Sequence, residues 1–387
     1  MNTEILGFLN EGNAAERLAN LRKLVSEEKC PPPVLNQYAN NHIHTTYSFS
    51  PYSPTAAVWF AREAGLPTAG IMDHDSISGA WEFIEAGSIA GVATTVGLEC
   101  RVSVAGTPLE GRRINNPDQK SVAYMALHGV PHHQIDFLSK TFAPFREMRN
   151  NRNIEMVDNI NSLFAGSGVS VNFEDDVLPV SSYSEGGSVT ERHIMYALAK
   201  KLFEKGDVEE TLGRYAGIKL SEKQRAAISS DDDGFVLYRL LGILKSSLIK
   251  NIYVPASDEL LHISELATLT KKVNAVLCYA YLGDVKNSVT GDKADMEFED
   301  GYLDILFAEL KRQGVDAITY MPSRNTPAQL SKVMSMCREY GFGEISGEDI
   351  NSPGQSFICP QLAQPEFSHL IDATWSLIER ERALTED

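Results

Sequence analysis

Several features that define other protein classes are scarce in this sequence. Its five cysteines are odd in number, widely spaced and form no Cys-x-x-Cys pair, so neither a disulfide framework nor a thiolate zinc site is indicated. No segment approaches the roughly 18 apolar residues of a membrane span. The first residues lack the basic start and continuous apolar core of a secretory signal. We therefore expect a cytoplasmic protein with no membrane partner.

Basic charge is also in short supply. Lysine and arginine together number 35 against 52 aspartates and glutamates, which gives a formal charge of −17. Because neutralising nucleic-acid phosphates needs a basic surface, duplex nucleic acid is not an expected partner. A small anionic phosphorylated substrate is compatible with this charge if a few arginines or a metal dominate one pocket. The sequence does not indicate an oligomeric state.

The length of 387 residues suits one large domain with an insertion, or two domains. Residues 1–30 carry apolar side chains at helical spacing and predict one N-terminal helix, which a run of prolines ends. Residues 31–105 and 262–387 alternate strand-like and helix-like segments, a pattern typical of a parallel sheet or barrel. Residues 106–261 are mostly helical in pattern and predict an insertion that shapes the pocket.

Two helix starts are marked by capping residues. Thr326, Pro327 and Gln329 predict a cap, a first-turn proline and a capping box for a late helix. Ser188 and Glu191 predict a second capping box at the start of a helix in the insertion.

The segment "NNHIHTTYS" is strand-like and places His42 and His44 two residues apart. Side chains two apart on a strand share a face, so both imidazoles can converge on one ion. Taken alone, such a pair more often belongs to an ordinary strand.

Further polar residues follow later predicted strands. Asp73 and His74 lie where one strand ends, Glu99 lies near the end of the next, and Asp349 follows a late strand. In parallel α/β barrels the carboxyl ends of several strands build the active site. Imidazoles with carboxylates and no thiolate suit Zn²⁺, Mn²⁺ or Fe²⁺ in a hydrolytic site. The combination therefore favours a divalent metal centre.

The segments "HIHTTYS", "MDHDS" and "VGLECRV", with a late strand ending in Gly-x-Asp, resemble the polymerase and histidinol phosphatase (PHP) domains. These are metal-dependent phosphoesterases on a distorted (β/α)7 TIM-like barrel. The resemblance covers residues about 38–104 and 262–355 and implies an α/β fold of this type with a largely helical insertion. It also implies one or two divalent ions per chain. The implied ligands are His42, His44, Glu99 and Asp349 for one ion, with His74 and Asn351 as candidates for a second ion and Glu99 as a candidate bridge.

Three positions depart from the family pattern. An aspartate expected soon after the histidine pair is replaced by the serine and aromatic residues of "YSFSPYS". Tyr281 and Asn351 stand where histidines are expected, so a trinuclear centre is not predicted. His128, His132 and His133 lie in a region where the family often supplies a ligand, although loop histidines are more often solvated.

The insertion also carries a match to the family. "TERHIMYAL" resembles the phosphate-binding segment of a family branch that removes phosphate from small phosphoesters or nucleotides, with Arg192 and His193 at the matching positions. Arg101 and Arg324 are further candidates for phosphate contacts, and a surface ion pair is the alternative for each arginine. His193 or Asp73 could transfer a proton. Asp73 could instead orient a metal ligand.

These observations predict a metal-dependent hydrolase of a small phosphoester, either a phosphomonoester or a nucleotide-like molecule, that uses a metal-activated water. Two alternatives stay open. One is a catalytically reduced binding or regulatory protein with a single structural metal. The other is a metal-dependent hydrolase that acts on a bond other than a phosphoester.

Overall fold

The chain folds as a mixed α/β structure around one curled seven-stranded sheet, which a computed structural model describes for residues 2–229, 234–284 and 297–386. The strands are β1 (Thr68–His74), β2 (Ala93–Ser103), β3 (Val122–His128), β4 (Leu261–His262), β5 (Val276–Ala280), β6 (Ala317–Tyr320) and β7 (Gly343–Ser346). Their order is β1-β2-β3-β5-β6-β7, and the short β4 pairs with β2.

Helices surround this sheet and build the insertion. In the described residues they are α1 (Thr3–Asn10), α2 (Ala14–Ser26), α3 (Pro54–Glu63), α4 (Ala80–Ala90), α5 (Ile135–Leu163), α6 (Glu191–Lys205), α7 (Val208–Ala216), α8 (Glu222–Ile228), α9 (Val236–Ile252), α10 (Ile263–Lys272), α11 (Leu303–Gln313), α12 (Pro327–Tyr340) and α13 (Ser368–Glu386). Of these, none is long and apolar enough to cross a membrane.

The sheet is mostly parallel, with one antiparallel strand. β1 pairs in parallel with β2, and β5, β6 and β7 pair in parallel with one another. β3 runs antiparallel to both β2 and β5. The segment between β2 and β3 contains no helix, so the chain turns back instead of crossing over.

The position of β3 bears on the predicted domain boundary. The strand falls within residues 106–261, the range predicted as insertion, yet it lies in the middle of the sheet. The helical part that packs around its own apolar core begins with α5, and that core includes Ile160, Leu198 and Leu244. β3 therefore belongs to the sheet, and the extent of the insertion stays a prediction.

The segment that carries His42 and His44 lies between β1 and the residues that follow β7. Ile43 forms parallel bridges with both Ile71 and Ile350, so the predicted strand shrinks to a single bridged residue. A Cβ atom on Gly70 would lie 2.7 Å from Asn41 Cα, and one on Gly347 would lie 2.6 Å from the His42 backbone nitrogen. Only glycine permits this close backbone approach, which holds the histidine segment against the sheet.

The predicted helix starts have mixed outcomes. The capping box of Thr326 and Gln329 with Pro327 in the first turn is confirmed. The prediction for the insertion helix is wrong, because Thr190 is the N-cap of α6 and His193 closes the capping box.

The N-terminal region forms two helices rather than the predicted one. Gly12 has a φ of 76°, a left-handed conformation that ends the first helix. Asn13 then caps α2 in a capping box with Glu16.

A buried carboxyl group beside β5 predicts a pH-dependent stability. Glu299 accepts hydrogen bonds from the Leu282 backbone N–H and the Tyr279 hydroxyl, and its Oε2 has no partner among the described residues. Burial raises the pKa of Glu299 to about 7, from an ordinary value of 4.5. The folded protein thus keeps a proton that the unfolded chain loses, so stability falls as pH rises from about 4.5 to about 7.

We expect Glu299→Gln to remove this loss, because the amide stays neutral at every pH. Its free energy of unfolding should exceed that of the unchanged protein by up to about 3 kcal/mol at pH 8, and should match it near pH 4. Urea denaturation across this pH range measures the difference. Exposed Glu339→Gln is the control. Parallel pH curves for the Glu299 variant and the unchanged protein would contradict the assignment.

Candidate metal centre

Five potential ligands meet where several strands of the sheet end. His74 ends β1 and its Nδ1 lies 3.0 Å from Oε2 of Glu99 on β2. His42 Nε2 lies 3.8 Å from the same Glu99 oxygen. His44 Nε2 lies 3.2 Å from Oδ1 of Asp349, which follows β7. The structure therefore brings together the histidines and carboxylates predicted as ligands.

These side chains form two overlapping groups. One contains His42, His44 and Asp349, and the other contains His44, His74 and Glu99; within each group, one donor atom per residue lies within 4.8 Å of the others. His44 belongs to both. Three imidazoles and two carboxylates are a donor set that fits Zn²⁺, Mn²⁺ or Fe²⁺. The arrangement suits one or two divalent ions. Glu99 is grouped with His44 and His74, whereas the resemblance placed it with His42, His44 and Asp349.

Burial and mutual contact set the charge of these groups. Burial lowers the pKa of His42 and His74, which favours the neutral imidazole that metals bind. Burial also raises the pKa of Glu99. Burial alone would raise the pKa of Asp349, but the hydrogen bond and charge of His44 hold that pKa well below the usual range. Burial would lower the pKa of His44, yet Asp349 raises it. His44 and Asp349 therefore each favour the charged form of the other.

Asp73 lies behind the ligands rather than in the cavity. Its carboxylate accepts hydrogen bonds from the Thr45 N–H at 2.7 Å, the Thr45 hydroxyl at 2.6 Å and the Ser48 hydroxyl at 2.6 Å. The Ser48 oxygen lies 3.1 Å from His44 Nδ1. Because the Ser48 proton is given to Asp73, His44 Nδ1–H donates to Ser48 and Nε2 faces the other ligands. This position supports an orienting role for Asp73.

We expect Asp73→Asn to lower metal affinity by about 10- to 100-fold, because the amide cannot accept all three hydrogen bonds and His44 loses its fixed orientation. Titration against a competing chelator measures the affinity, and circular dichroism checks the fold. Ser48→Ala removes the hydroxyl that links Asp73 to His44 and should also lower metal affinity. Exposed Asp372→Asn serves as the control. Unchanged affinity in both test variants would exclude the orienting role.

A cavity opens beside the ligands and has three kinds of wall. His42, His74, Glu99 and Asp349 form one side, and Ala280, Leu282 and Met321 form an apolar side. Tyr124, Arg192 and Lys245 line both this cavity and an adjoining smaller one. Sequence analysis missed Lys245. The available signal was its place on α9, four residues from Leu241 and from Ile249, on the stripe that is otherwise apolar.

The three candidate arginines are separated. Arg192 lines both cavities, and its Nη1 donates to the Ser352 hydroxyl at 3.3 Å. Arg101 is buried and paired with Glu259, as well as lying 3.5 Å from Glu191, so its prediction as a substrate contact is not supported. Arg324 lines neither cavity; its Nε donates to the Leu282 carbonyl at 3.1 Å.

The position of His193 does not support the predicted catalytic or phosphate-binding role. Its Nδ1 accepts the Thr190 N–H at 2.9 Å, and its ring lies edge-on to Phe49 with centroids 4.9 Å apart. Burial lowers its pKa to about 3. As the third residue of α6, His193 reaches back to the cap and lines neither cavity.

The remaining candidates surround the ligands without joining them. Asn351 lines the cavities, but its Nδ2 donates to Asp349 Oδ1 at 2.6 Å, the geometry of an orienting side chain. His128 is buried at the end of β3, His132 Nε2 lies 2.9 Å from Glu381, and His133 is exposed. Within the described part of the chain, none of these three histidines belongs to either ligand group.

A buried charge network joins the insertion to the sheet next to this site. It consists of Arg101, Arg149, Arg152, Asp75, Glu191 and Glu259. Glu191 is at its centre, 2.8 Å from Arg149, 2.6 Å from Arg152 and 3.5 Å from Arg101. Arg149 also pairs with Asp75, the neighbour of His74. Three guanidinium groups thus balance three carboxylates.

Comparisons with known proteins agree with this fold. The PHP domain family matches residues 40–186, a span that contains four of the five potential ligands. A search of curated protein sequences finds no match. The structure is similar to a candidate metal-dependent phosphoesterase from Bifidobacterium adolescentis, with 20% identity, a TM-score of 0.57, and coverage of 89% of this chain and 98% of that one.

A second similar structure is an amidohydrolase from Chromobacterium violaceum that holds sulfate and no metal. It is 17% identical, has a TM-score of 0.55 and covers 87% of this chain and 96% of its own. Identities this low indicate a shared fold. The PHP domain match covers residues 40–186, less than half of the chain, so the comparisons show similarity to this family and a shared fold.

Proposed function

We propose that the protein is a metal-dependent hydrolase of small phosphomonoesters. The observation that carries the proposal is the convergence of three histidines and two carboxylates beside a cavity that Arg192 also lines. The similarity to a candidate metal-dependent phosphoesterase supports it, and so does the similarity to a structure that holds sulfate, an anion with the tetrahedral shape of phosphate.

The residues that would hold the metal are His42, His44 and Asp349 for one ion, with His74 and Glu99 completing a second position around His44. When bound, a divalent ion lowers the pKa of a coordinated water and offsets charge on the phosphoryl oxygens.

Other side chains would prepare the site for the substrate. Arg192 presents a planar guanidinium that can bind two phosphate oxygens at once. Asn351 holds Asp349 in position. The hydrogen bonds from Asp73 through Ser48 hold His44 in position. The apolar wall would exclude bulk water, which strengthens these charge interactions.

The direct test is turnover by protein loaded with Mn²⁺, Zn²⁺ or Fe²⁺. We expect release of inorganic phosphate from members of a panel of phosphomonoesters and nucleotides. No release with any of the three metals would refute the proposal. Elemental analysis of the same samples counts the ions per chain.

Measurements on the same samples distinguish two alternatives from this proposal. The similarity to an amidohydrolase motivates hydrolysis of a carbon–nitrogen bond, so amide substrates belong in the panel. Tyr281 and Asn351, which stand where the family has histidines, motivate a binding protein with one structural ion. One ion per chain and no turnover of any substrate would favour that reading.

We further propose that the sheet and the segment around Ile43 form the distorted (β/α)7 ring of the PHP type. The two bridges made by Ile43 support this arrangement. The helical insertion would form the substrate-specific side of the pocket, and a cytoplasmic location stays a prediction.

A further inference from the structure

The register of the sheet brings a tyrosine next to the metal ligands. On β3, Tyr124 lies directly opposite Arg101 of β2, and Glu99 precedes Arg101 by two residues. Side chains two apart on a strand share a face, and so do directly opposite side chains of an antiparallel pair. Tyr124 therefore projects from the same face of the sheet as Glu99, and its ring centroid lies 5.7 Å from that of His74.

Buried hydrogen bonds fix the backbone of Tyr124 at this place. The Asn115 side chain accepts the Tyr124 N–H at 2.8 Å, and it donates to the Tyr124 carbonyl at 2.8 Å and to the Ala280 carbonyl at 2.7 Å. Asn115 is itself buried. One amide side chain thus ties β3 to the end of β5 and holds Tyr124 beside the ligands.

Tyr124, Tyr281 and Tyr320 line the larger cavity, and their hydroxyls differ in what they contact. The Tyr281 hydroxyl donates to Asp300, and the Tyr320 hydroxyl donates to Glu344 at 2.8 Å. Within the described residues, Tyr124 forms hydrogen bonds through its backbone alone. Its hydroxyl is not one of the buried side-chain atoms that lack a partner, so it is open to the cavity. Of the three, Tyr124 is the one that also lines the smaller cavity.

Charged groups near Tyr124 leave its hydroxyl available. Four of them act on it electrostatically, namely Arg101, Arg149, Glu191 and Asp118. The first three belong to the buried charge network, where each is paired with an opposite charge. Asp118 is exposed, so water competes for its oxygens. In the described part of the chain, none of the four forms a hydrogen bond with this hydroxyl.

We propose that the Tyr124 hydroxyl donates a hydrogen bond to a phosphoryl oxygen of the substrate. This inference rests on the proposed function and adds a substrate contact to it. Hydrolysis requires the phosphoryl group to lie beside the metal ligands, where the ring of Tyr124 is a neighbour of His74. A phenol O–H is a donor, and the non-bridging phosphoryl oxygens are acceptors. Because the donor is neutral, this contact requires no unpaired charge in the cavity.

The test is binding of inorganic phosphate to the metal-loaded full chain, measured by calorimetry at neutral pH. We expect Tyr124→Phe to weaken phosphate binding by about 10- to 100-fold, because it removes a hydrogen bond to a charged acceptor and keeps the ring. The value of kcat/KM for a phosphomonoester should fall by at least the same factor. Tyr320→Phe is the matched control, since its hydroxyl already donates to Glu344, and it should change phosphate affinity by less than about 3-fold.

Thermal denaturation and metal content verify that each variant is folded and loaded. Weaker phosphate binding at full metal content supports the inference. Phosphate affinity that is unchanged in Tyr124→Phe would overturn it, and so would loss of the metal in that variant, which would assign the hydroxyl to the metal. If the unchanged protein turns over no phosphoester and phosphate binding still depends on Tyr124, the proposed function is wrong and the contact stands. If Tyr124→Phe hydrolyses phosphomonoesters and binds phosphate as the unchanged protein does, the function stands and the role of Tyr124 is wrong.

Discussion

Replacing His44 with alanine is expected to remove the bound metal altogether. His44 is the one residue common to both ligand groups, and its Nε2 also lies 3.2 Å from Oδ1 of Asp349. Loss of a direct ligand should exceed the roughly 10- to 100-fold loss of affinity that follows removal of an outer partner. Without the metal, hydrolysis should fall to background.

Elemental analysis after dialysis measures this result, with His74→Ala as the comparison. His74 belongs to one group only, so its alanine variant should keep one ion per chain if the unchanged protein holds two. Exposed His133→Ala should leave the metal content unaltered. Full metal content in His44→Ala would place the metal somewhere other than these ligands.

Glu191→Gln is expected to destabilise the fold by about 3 to 5 kcal/mol. The substitution removes one buried carboxylate from a network in which it contacts three guanidinium groups, and leaves those positive charges without their partner. Burial alone would raise the pKa of Glu191, but the charges of the three arginines hold that pKa well below its ordinary value. The carboxylate is therefore ionised at neutral pH, and its contribution is lost progressively as pH falls from about 4.5 to the lowered pKa of the folded state.

Urea denaturation at pH 7 measures the change in free energy of unfolding. Glu209→Gln is the matched control, because Glu209 pairs with Arg225 at 2.8 Å on the surface and both side chains are about half exposed. That variant should change stability by less than about 1 kcal/mol. Similar small effects for both substitutions would mean that the network does not hold the insertion to the sheet.

Much of the metal centre could be predicted from local pattern. His42, His44, His74, Glu99 and Asp349 each lie beside or within an apolar, strand-like run, and such runs place polar residues at one edge of a sheet. The same logic predicts β1 and β2 closely, since continuous apolar strands need burial on both faces.

The errors arise where partners are distant in sequence. β3 reads as an apolar run inside a helical region, and only its pairing with β2 and β5 places it in the sheet. Arg101 shares a strand face with Glu99 as predicted, yet Glu259 and Glu191, far along the chain, determine what it contacts. Lys245 carries no motif at all. These features depend on tertiary neighbours that local pattern does not contain.

The bridges made by Ile43 have a consequence for the order of events during synthesis. They place His44 against a segment that includes Asp349, which the ribosome adds roughly 300 residues later, about 15 to 60 seconds at typical rates. A nascent chain therefore carries the histidine pair long before it carries the carboxylate that completes the first group. The group that contains Asp349 is therefore completed only late in translation, whereas His44, His74 and Glu99 are all synthesised within the first hundred residues.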